Sequence, residues 1–137
     1  MTHRAKVRVR YAETDQMGVV YHANYVIWME VGRVEFARAA GLPYKELEAA
    51  GFFMAVVEAN CRYLAPALYD DEIEIETRVH KATPRTLDFA YTFWRGAQKL
   101  GEGSTRHVFL NKELRPTRLP AEYHGVFGIT SPPCADA

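Results

Sequence analysis

Apolar and polar side chains alternate through residues 6 to 11, where Val7, Val9 and Tyr11 are set against Lys6, Arg8 and Arg10. Successive strand side chains point to opposite faces, so this period of two predicts a half-buried strand. Through residues 24 to 40 the period lengthens. Tyr25, Trp28, Met29, Gly32, Phe36 and Ala39 recur at helical spacing and predict a helix. Val26, Ile27 and Val34 widen the apolar stripe, so the first half of that helix is expected to be buried nearly all round. Glu30 with Arg33, and Glu35 with Arg38, stand one turn apart and can pair along it. Gly41 followed by Pro43 is a stop signal.

Four more strand-like runs follow. In 52 to 64, Val57, Ala59, Cys61 and Tyr63 oppose Glu58, Asn60 and Arg62. In 72 to 80, Ile73, Ile75, Thr77 and Val79 oppose Glu72, Glu74, Glu76 and Arg78. In 86 to 95, Leu87, Phe89, Tyr91 and Phe93 share one face. In 103 to 111, Thr105, His107 and Phe109 alternate with Arg106, Val108 and Leu110. Pro66, Tyr69-Asp70-Asp71, Thr83-Pro84-Arg85 and the stretch from Gly96 to Gly103 separate the runs. Short links favour antiparallel pairing. One apolar helix and five strands predict an α+β layer with the sheet wrapped on the helix. No repeat, low-complexity segment or linker interrupts the chain, so residues 1–137 are expected to form one domain. The tail from 119 to 137 is expected to be peripheral, a short helical turn from Pro120 to Val126 and a frayed Ser131-Pro132-Pro133 end.

Composition narrows the function classes. A length of 137 residues suits one core, and 48% hydrophobic with 25% charged residues is ordinary for a globular domain. Lys and Arg number 17, as do Asp and Glu, which argues against a large nucleic-acid footprint. The basic stripe Arg4, Lys6, Arg8 and Arg10 has no aromatic platform interleaved and reads as a solvated strand face. No apolar run approaches the roughly 20 residues of a membrane span. Met1-Thr2-His3-Arg4-Ala5-Lys6 has no signal-peptide core. With only Cys61 and Cys134, disulfide stapling is not expected, and a reducing cytoplasm fits better. The five histidines form no close metal pattern, so no metal site is expected.

Chemistry concentrates in Asp15-Gln16-Met17-Gly18-Val19-Val20-Tyr21-His22-Ala23-Asn24-Tyr25. As an ordinary loop residue, Asp15 would cap a turn before Gly18. As a functional one, it stands beside an apolar run that excludes water, where a carboxylate becomes a better base. His22 is either a plain polar residue at a helix start or the donor of a backbone N–H toward a substrate carbonyl, aided by the helix dipole. The second role needs the position and not the imidazole. Asn24 reads as an N-cap and Tyr25 as core, unless both face a ligand.

The run Asp15-x-x-Gly18-x-Val20-Tyr21-His22-x-x-Tyr25, with Trp28, Glu30 and Arg33 after it, resembles the signature of hotdog-fold acyl-CoA thioesterases. The type is that of 4-hydroxybenzoyl-CoA thioesterase, and within it the Tol–Pal-associated branch. Arg62-Tyr63-Leu64-x-Pro66-x-x-Tyr69-Asp70-Asp71 extends the likeness, which covers about residues 5 to 115. The resemblance implies a five-stranded antiparallel sheet wrapped around one long central helix, subunits pairing sheet to sheet, and active sites at the interface of a homodimer, commonly within a homotetramer. It implies hydrolysis of an acyl-CoA to free acid and CoA. Asp15 would be the catalytic carboxylate, as nucleophile or general base, and His22 would supply the oxyanion N–H. Tyr21 and Tyr25 would line the substrate. Lys81, Arg85 and Thr86 would meet the CoA phosphates, although Pro84 departs from the Ser-rich link of relatives and these residues read equally well as a solvated turn. CoA enters as part of the substrate, and no separate cofactor is implied.

Two other readings stand beside this one. A non-catalytic acyl-CoA-binding hotdog scaffold would have no need of a carboxylate aimed at the carbonyl. A hotdog dehydratase would pair a catalytic His with an acid in a different arrangement. Pocket depth should depend on how Trp28, Met29, Phe52, Phe53, Met54 and Tyr63 meet.

Overall fold

The alternating runs pair into a single antiparallel sheet. In the computed structural model, which describes residues 1–130, the strands are β1 (Thr2–Arg8), β2 (Phe53–Tyr63), β3 (Glu72–Ala82), β4 (Thr86–Arg95) and β5 (Gln98–Leu110). Their order across the sheet is β1-β3-β4-β5-β2. Helix α1 (Ala23–Ala39) lies on one face and touches β1, β3, β4 and β2, from one edge to the other. The sheet therefore curls around the helix, as the resemblance implies. The expectation of one long helix is corrected, since α1 has 17 residues, about 25 Å. Gly41, at φ +94°, turns the chain out of it. Two short helices, α2 (Tyr44–Ala49) and α3 (His124–Phe127), accompany it. The sequence reading missed α2 because a six-residue helix burying only Leu47 is too short to show a period.

The core forms where α1 meets the middle strands. Phe89 and Phe93 of β4 and Ile73 and Ile75 of β3 are fully buried beneath it, and Phe109 of β5 is fully buried beside Phe127 of α3. Each such side chain contributes about 1.5–3 kcal/mol. Gly32 sets how closely the helix approaches. A Cβ there would lie 2.8 Å from the Ile75 Cγ2 and nearer still to the Thr77 Oγ1. Along α1, Tyr25 stacks on Phe93 (5.1 Å between ring centres) and Phe36 on Phe89 (5.6 Å). The helix N-terminus thus lies over the end of β4, and its C-terminus over the start of β4.

Several expectations change. Strand β1 begins earlier than residue 6 and ends at Arg8, because β3 offers partners from Arg78 to Glu72. Tyr11 is exposed in a 3₁₀ turn (Tyr11–Glu13) instead of on the buried strand face. The basic stripe is a solvated face, as expected, with Arg4 reaching Glu74 and Glu76, and Lys6 and Arg8 reaching Glu72. Glu35 pairs with Arg38 at 3.3 Å, but Glu30 and Arg33 form no such pair among the described residues. The first half of α1 is not buried all round, since Val26 and Ile27 are exposed. In β2 a register shift between Val56 and Glu58 breaks the alternation, and Val57 is exposed on this edge strand. The Gly96 to Gly103 break shrinks to the tight turn before Gln98. Residues 119–130 are not peripheral, because Leu119, Phe127 and Ile129 are buried in the core. Ser131-Pro132-Pro133 and Cys134 lie outside the described residues. Among the described residues, no helix is long and apolar enough to cross a membrane.

Candidate active site

The segment between the first 3₁₀ turn and α1 folds back on itself. Thr14 and Val20 bridge as in a miniature sheet, the Asp15 N–H bonds the Val19 carbonyl at 2.9 Å, and the Gly18 N–H bonds the Asp15 carbonyl at 3.0 Å. Gly18 takes φ +82°, which few other residues adopt without strain. The Asp15 Oδ1 accepts the Met17 N–H at 2.9 Å. This turn holds the half-buried carboxylate toward a cleft. The Val20 N–H bonds the Ala67 carbonyl at 2.8 Å and fastens the turn to the link between β2 and β3.

The start of α1 is unusual in its capping. His22 occupies the N-cap position with no side-chain cap. The side chain of Asn24, expected as the N-cap, instead donates to the carbonyls of Glu13 (2.9 Å) and Tyr21 (3.2 Å). The Tyr21 N–H bonds the Glu13 carbonyl at 2.8 Å, and the His22 carbonyl accepts from the Tyr25 N–H (3.2 Å) and the Tyr63 hydroxyl (3.1 Å). The His22 N–H itself makes no hydrogen bond among the described residues. A free N–H at the positive end of a helix is suited to bind a developing oxyanion.

Asp15 and His22 line the same cleft, which holds about 320 Å³. Val19, Val20, Leu64 and Pro66 make its walls apolar, and Tyr25 forms a buried part of the lining. Burial raises the Tyr25 pKa, partly offset by a hydrogen bond to the Ala67 backbone. Tyr63 closes one side, its phenol pushed up to about 12 by desolvation and then by the neighbouring Cys61. A phenol that stays protonated keeps donating to the His22 carbonyl. Of the six residues expected to set pocket depth, only Tyr63 lines the cleft, while Trp28 and Met29 are core and Phe52 packs on Tyr123. Tyr21 does not line it either. Its ring is half exposed against His22 at 4.5 Å.

The residues expected to meet CoA lie elsewhere. The Thr83 Oγ1 accepts the N–H groups of Arg85 (3.2 Å) and Thr86 (2.9 Å), and sits 2.8 Å from the Thr86 hydroxyl, so a compact turn joins β3 to β4. The Pro84 carbonyl takes the Leu119 N–H at 2.7 Å. Lys81, near the end of β3, and Arg85, in this turn, are exposed cations. The turn precedes Phe89, under the C-terminal half of α1, so one protomer does not bring these residues to Asp15.

Glu13 is the residue the sequence reading missed. It is buried at 5% exposure, with Oε1 accepting the Arg10 N–H at 2.8 Å and Oε2 accepting the Trp28 Nε1–H at 3.2 Å. No local pattern marks it, because the partners that bury it lie on α1. No group of three or more His, Cys, Asp or Glu side chains comes together to hold a metal among the described residues.

The sequence profile of the thioesterase-like superfamily matches residues 9–127. The chain is 35% identical over 111 residues to YneP of Bacillus subtilis, named as a candidate acyl-CoA thioesterase, across 80% of each chain. The solved structure of TT1821, a hypothetical protein of Thermus thermophilus, superposes with a TM-score of 0.89 at 40% identity, over 91% of this chain and 96% of that one. A DHNA-CoA thioesterase of Staphylococcus aureus superposes with a TM-score of 0.88 at 27% identity, over 93% of this chain and 89% of that one.

Proposed function

The chain belongs to the thioesterase-like superfamily and is a thioester hydrolase; we propose that it hydrolyses an acyl-CoA to the free acid and CoA, with Asp15 and the His22 N–H as its catalytic groups. One observation carries this reading. Asp15 and His22, whose backbone N–H at the helix start is unbonded among the described residues, line one apolar cleft. The thioester carbonyl oxygen would take the His22 N–H, which strengthens its hold as charge develops on that oxygen. Asp15 would attack the carbonyl carbon and expel the CoA thiolate, leaving an anhydride for water to open, or would take the proton of an attacking water. A non-catalytic binder would have no use for that carboxylate. The resemblance to the 4-hydroxybenzoyl-CoA type and its Tol–Pal-associated branch rests on the Asp15 to Tyr25 signature and belongs to the same proposal.

The working unit in this reading is a homodimer, itself paired into a homotetramer, in the cytoplasm. Supporting it, Val26 and Ile27 on α1 and Val56 and Val57 on the edge strand β2 are apolar and uncovered by their own chain. Phe89, Tyr91, Phe93 and Phe109 add nothing to such a surface, because all four are buried in the core of their own chain. A partner subunit would also bring Lys81, Arg85 and Thr86 to a cleft that their own chain does not let them reach. Replacing Asp15 by Asn tests the chemistry. The change is nearly isosteric, so the fold should persist while kcat for acyl-CoA falls at least about a hundredfold. Turnover within a few-fold of wild type, at unchanged thermal stability, would remove Asp15 from the mechanism.

A further inference from the structure

Glu13 does not line the cleft, yet it is the one fully buried carboxylate among the described residues. An unpaired buried charge is costly, and this one is paired on every side. Its side chain joins the Arg10 N–H (2.8 Å), the Trp28 Nε1–H of α1 (3.2 Å) and the Arg10 guanidinium (3.5 Å). Its backbone carbonyl takes the Tyr21 N–H (2.8 Å) and the Asn24 side-chain amide (2.9 Å). One residue therefore grips both ends of the loop from Thr14 to His22 and fastens them to the first turns of α1. The Tyr21 N–H is spent on Glu13, and the next donor along the chain, the His22 N–H, has no partner among the described residues. Asp15 hangs two residues from the same anchor.

We propose that Glu13 is a positioning residue, whose carboxylate clamps the loop between the Arg10 backbone and Trp28 so that Asp15 and the His22 N–H keep their catalytic register. This rests on the reading of Asp15 and His22 given above. Charge-assisted hydrogen bonds are the strong ones, and they hold a short loop to tolerances that catalysis requires. A displacement of about 1 Å at reacting groups can cost on the order of a hundredfold in rate.

The test is Glu13→Gln. Its amide oxygen can satisfy only one of the two N–H donors, and its NH2 meets the other. For protein assayed well below its melting temperature, kcat should fall at least about tenfold while KM stays within about twofold. That split is the signature of transition-state alignment lost without substrate binding lost. Trp28→Phe removes one of the two donors and should also lower kcat. The double variant should be no slower than Glu13→Gln alone, because both changes break the same clamp. A residue that only stabilises the fold would lower the melting temperature and leave kcat of the folded enzyme unchanged. Glu13→Gln with kcat within twofold of wild type, or losses from the two single variants that multiply in the double, would overturn the proposal. If Glu13→Gln fails to fold, Trp28→Phe decides, and wild-type kcat there overturns it equally. Asp15→Asn assayed alongside separates the two ideas. An active Asp15→Asn removes the catalytic reading itself, whereas an inactive one beside an unaffected Glu13→Gln removes only the clamp.

Discussion

Acid should destabilise this fold as pH falls below the ordinary histidine range, because His107 is buried in neutral form. Its ring is fully buried, with Nε2 2.8 Å from the Thr105 Oγ1, which in turn sits 2.6 Å from the Tyr91 hydroxyl. Phe89 meets it edge-on at 5.6 Å. Burial, and then the charge of Arg33, push its pKa down from 6.5 to about 4, against a smaller opposing pull from Asp88. In the unfolded chain the imidazole regains an ordinary pKa. Between that value and about 4 the unfolded state binds a proton that the folded state refuses, so stability falls as pH falls through this window. Each unit of difference is worth about 1.4 kcal/mol, so the full effect approaches about 3 kcal/mol, on the order of 10 °C in melting temperature. Asp71 titrates lower still. Burial raises its carboxyl, but the Arg95 and Leu68 N–H groups more than offset this and hold it below 3.8. The assay is denaturant unfolding at fixed protein concentration from pH 7 to pH 4, for wild type and His107→Gln. Glutamine keeps a partner for Thr105 but cannot titrate. The wild-type curve should lose about 3 kcal/mol more than the variant's over that range. Parallel curves would refute the assignment of a neutral His107.

Three further outcomes follow from the site. His22→Ala should keep a sizeable part of the activity and His22→Pro should abolish it, since only proline deletes the N–H; equal and severe losses in both, with the turn intact in a crystal structure of the proline variant, would give the imidazole its own role. Replacing Lys81 and Arg85 together by Ala should raise KM for acyl-CoA with kcat nearly unchanged, because phosphate contacts far from the carbonyl bind ground and transition states alike. A loss equal on full and nucleotide-free thioesters would move the CoA site elsewhere, with Lys112 and Arg115 next to test. Light scattering at micromolar concentration should find a dimer or tetramer, and a monomer would contradict the shared site.

The periods in the chain determined most of the fold. Ile73, Ile75 and Thr77, then Leu87, Phe89, Tyr91 and Phe93, then Thr105, His107 and Phe109 are buried on the strand faces that alternation assigns them. Tyr25, Trp28, Met29, Gly32 and Phe36 are buried on the helix face that their spacing assigns them. One-sided burial writes a period of two or of 3.6 into the sequence, and the period can be read back. The Asp15 to His22 segment was legible for a related reason, since a turn glycine and a helix start are local features. What the sequence could not contain was which surface covers which face. Val26, Ile27 and Val57 are as apolar as any core residue, yet their own chain leaves them exposed. Phe89 and Phe109 are equally apolar, yet helices of their own chain cover them, Phe89 against Phe36 and Phe109 against Phe127. Lys81 and Arg85 stand at the opposite end of α1 from Asp15 because β3 and β4 run the length of that helix. The contacts of Glu13 with Arg10 are local, but its tie to α1 is made only by tertiary structure, through the Trp28 ring fifteen positions along the chain. Local spacing records which side chains share a face, but partners distant in sequence are brought together only when the sheet closes on the helix.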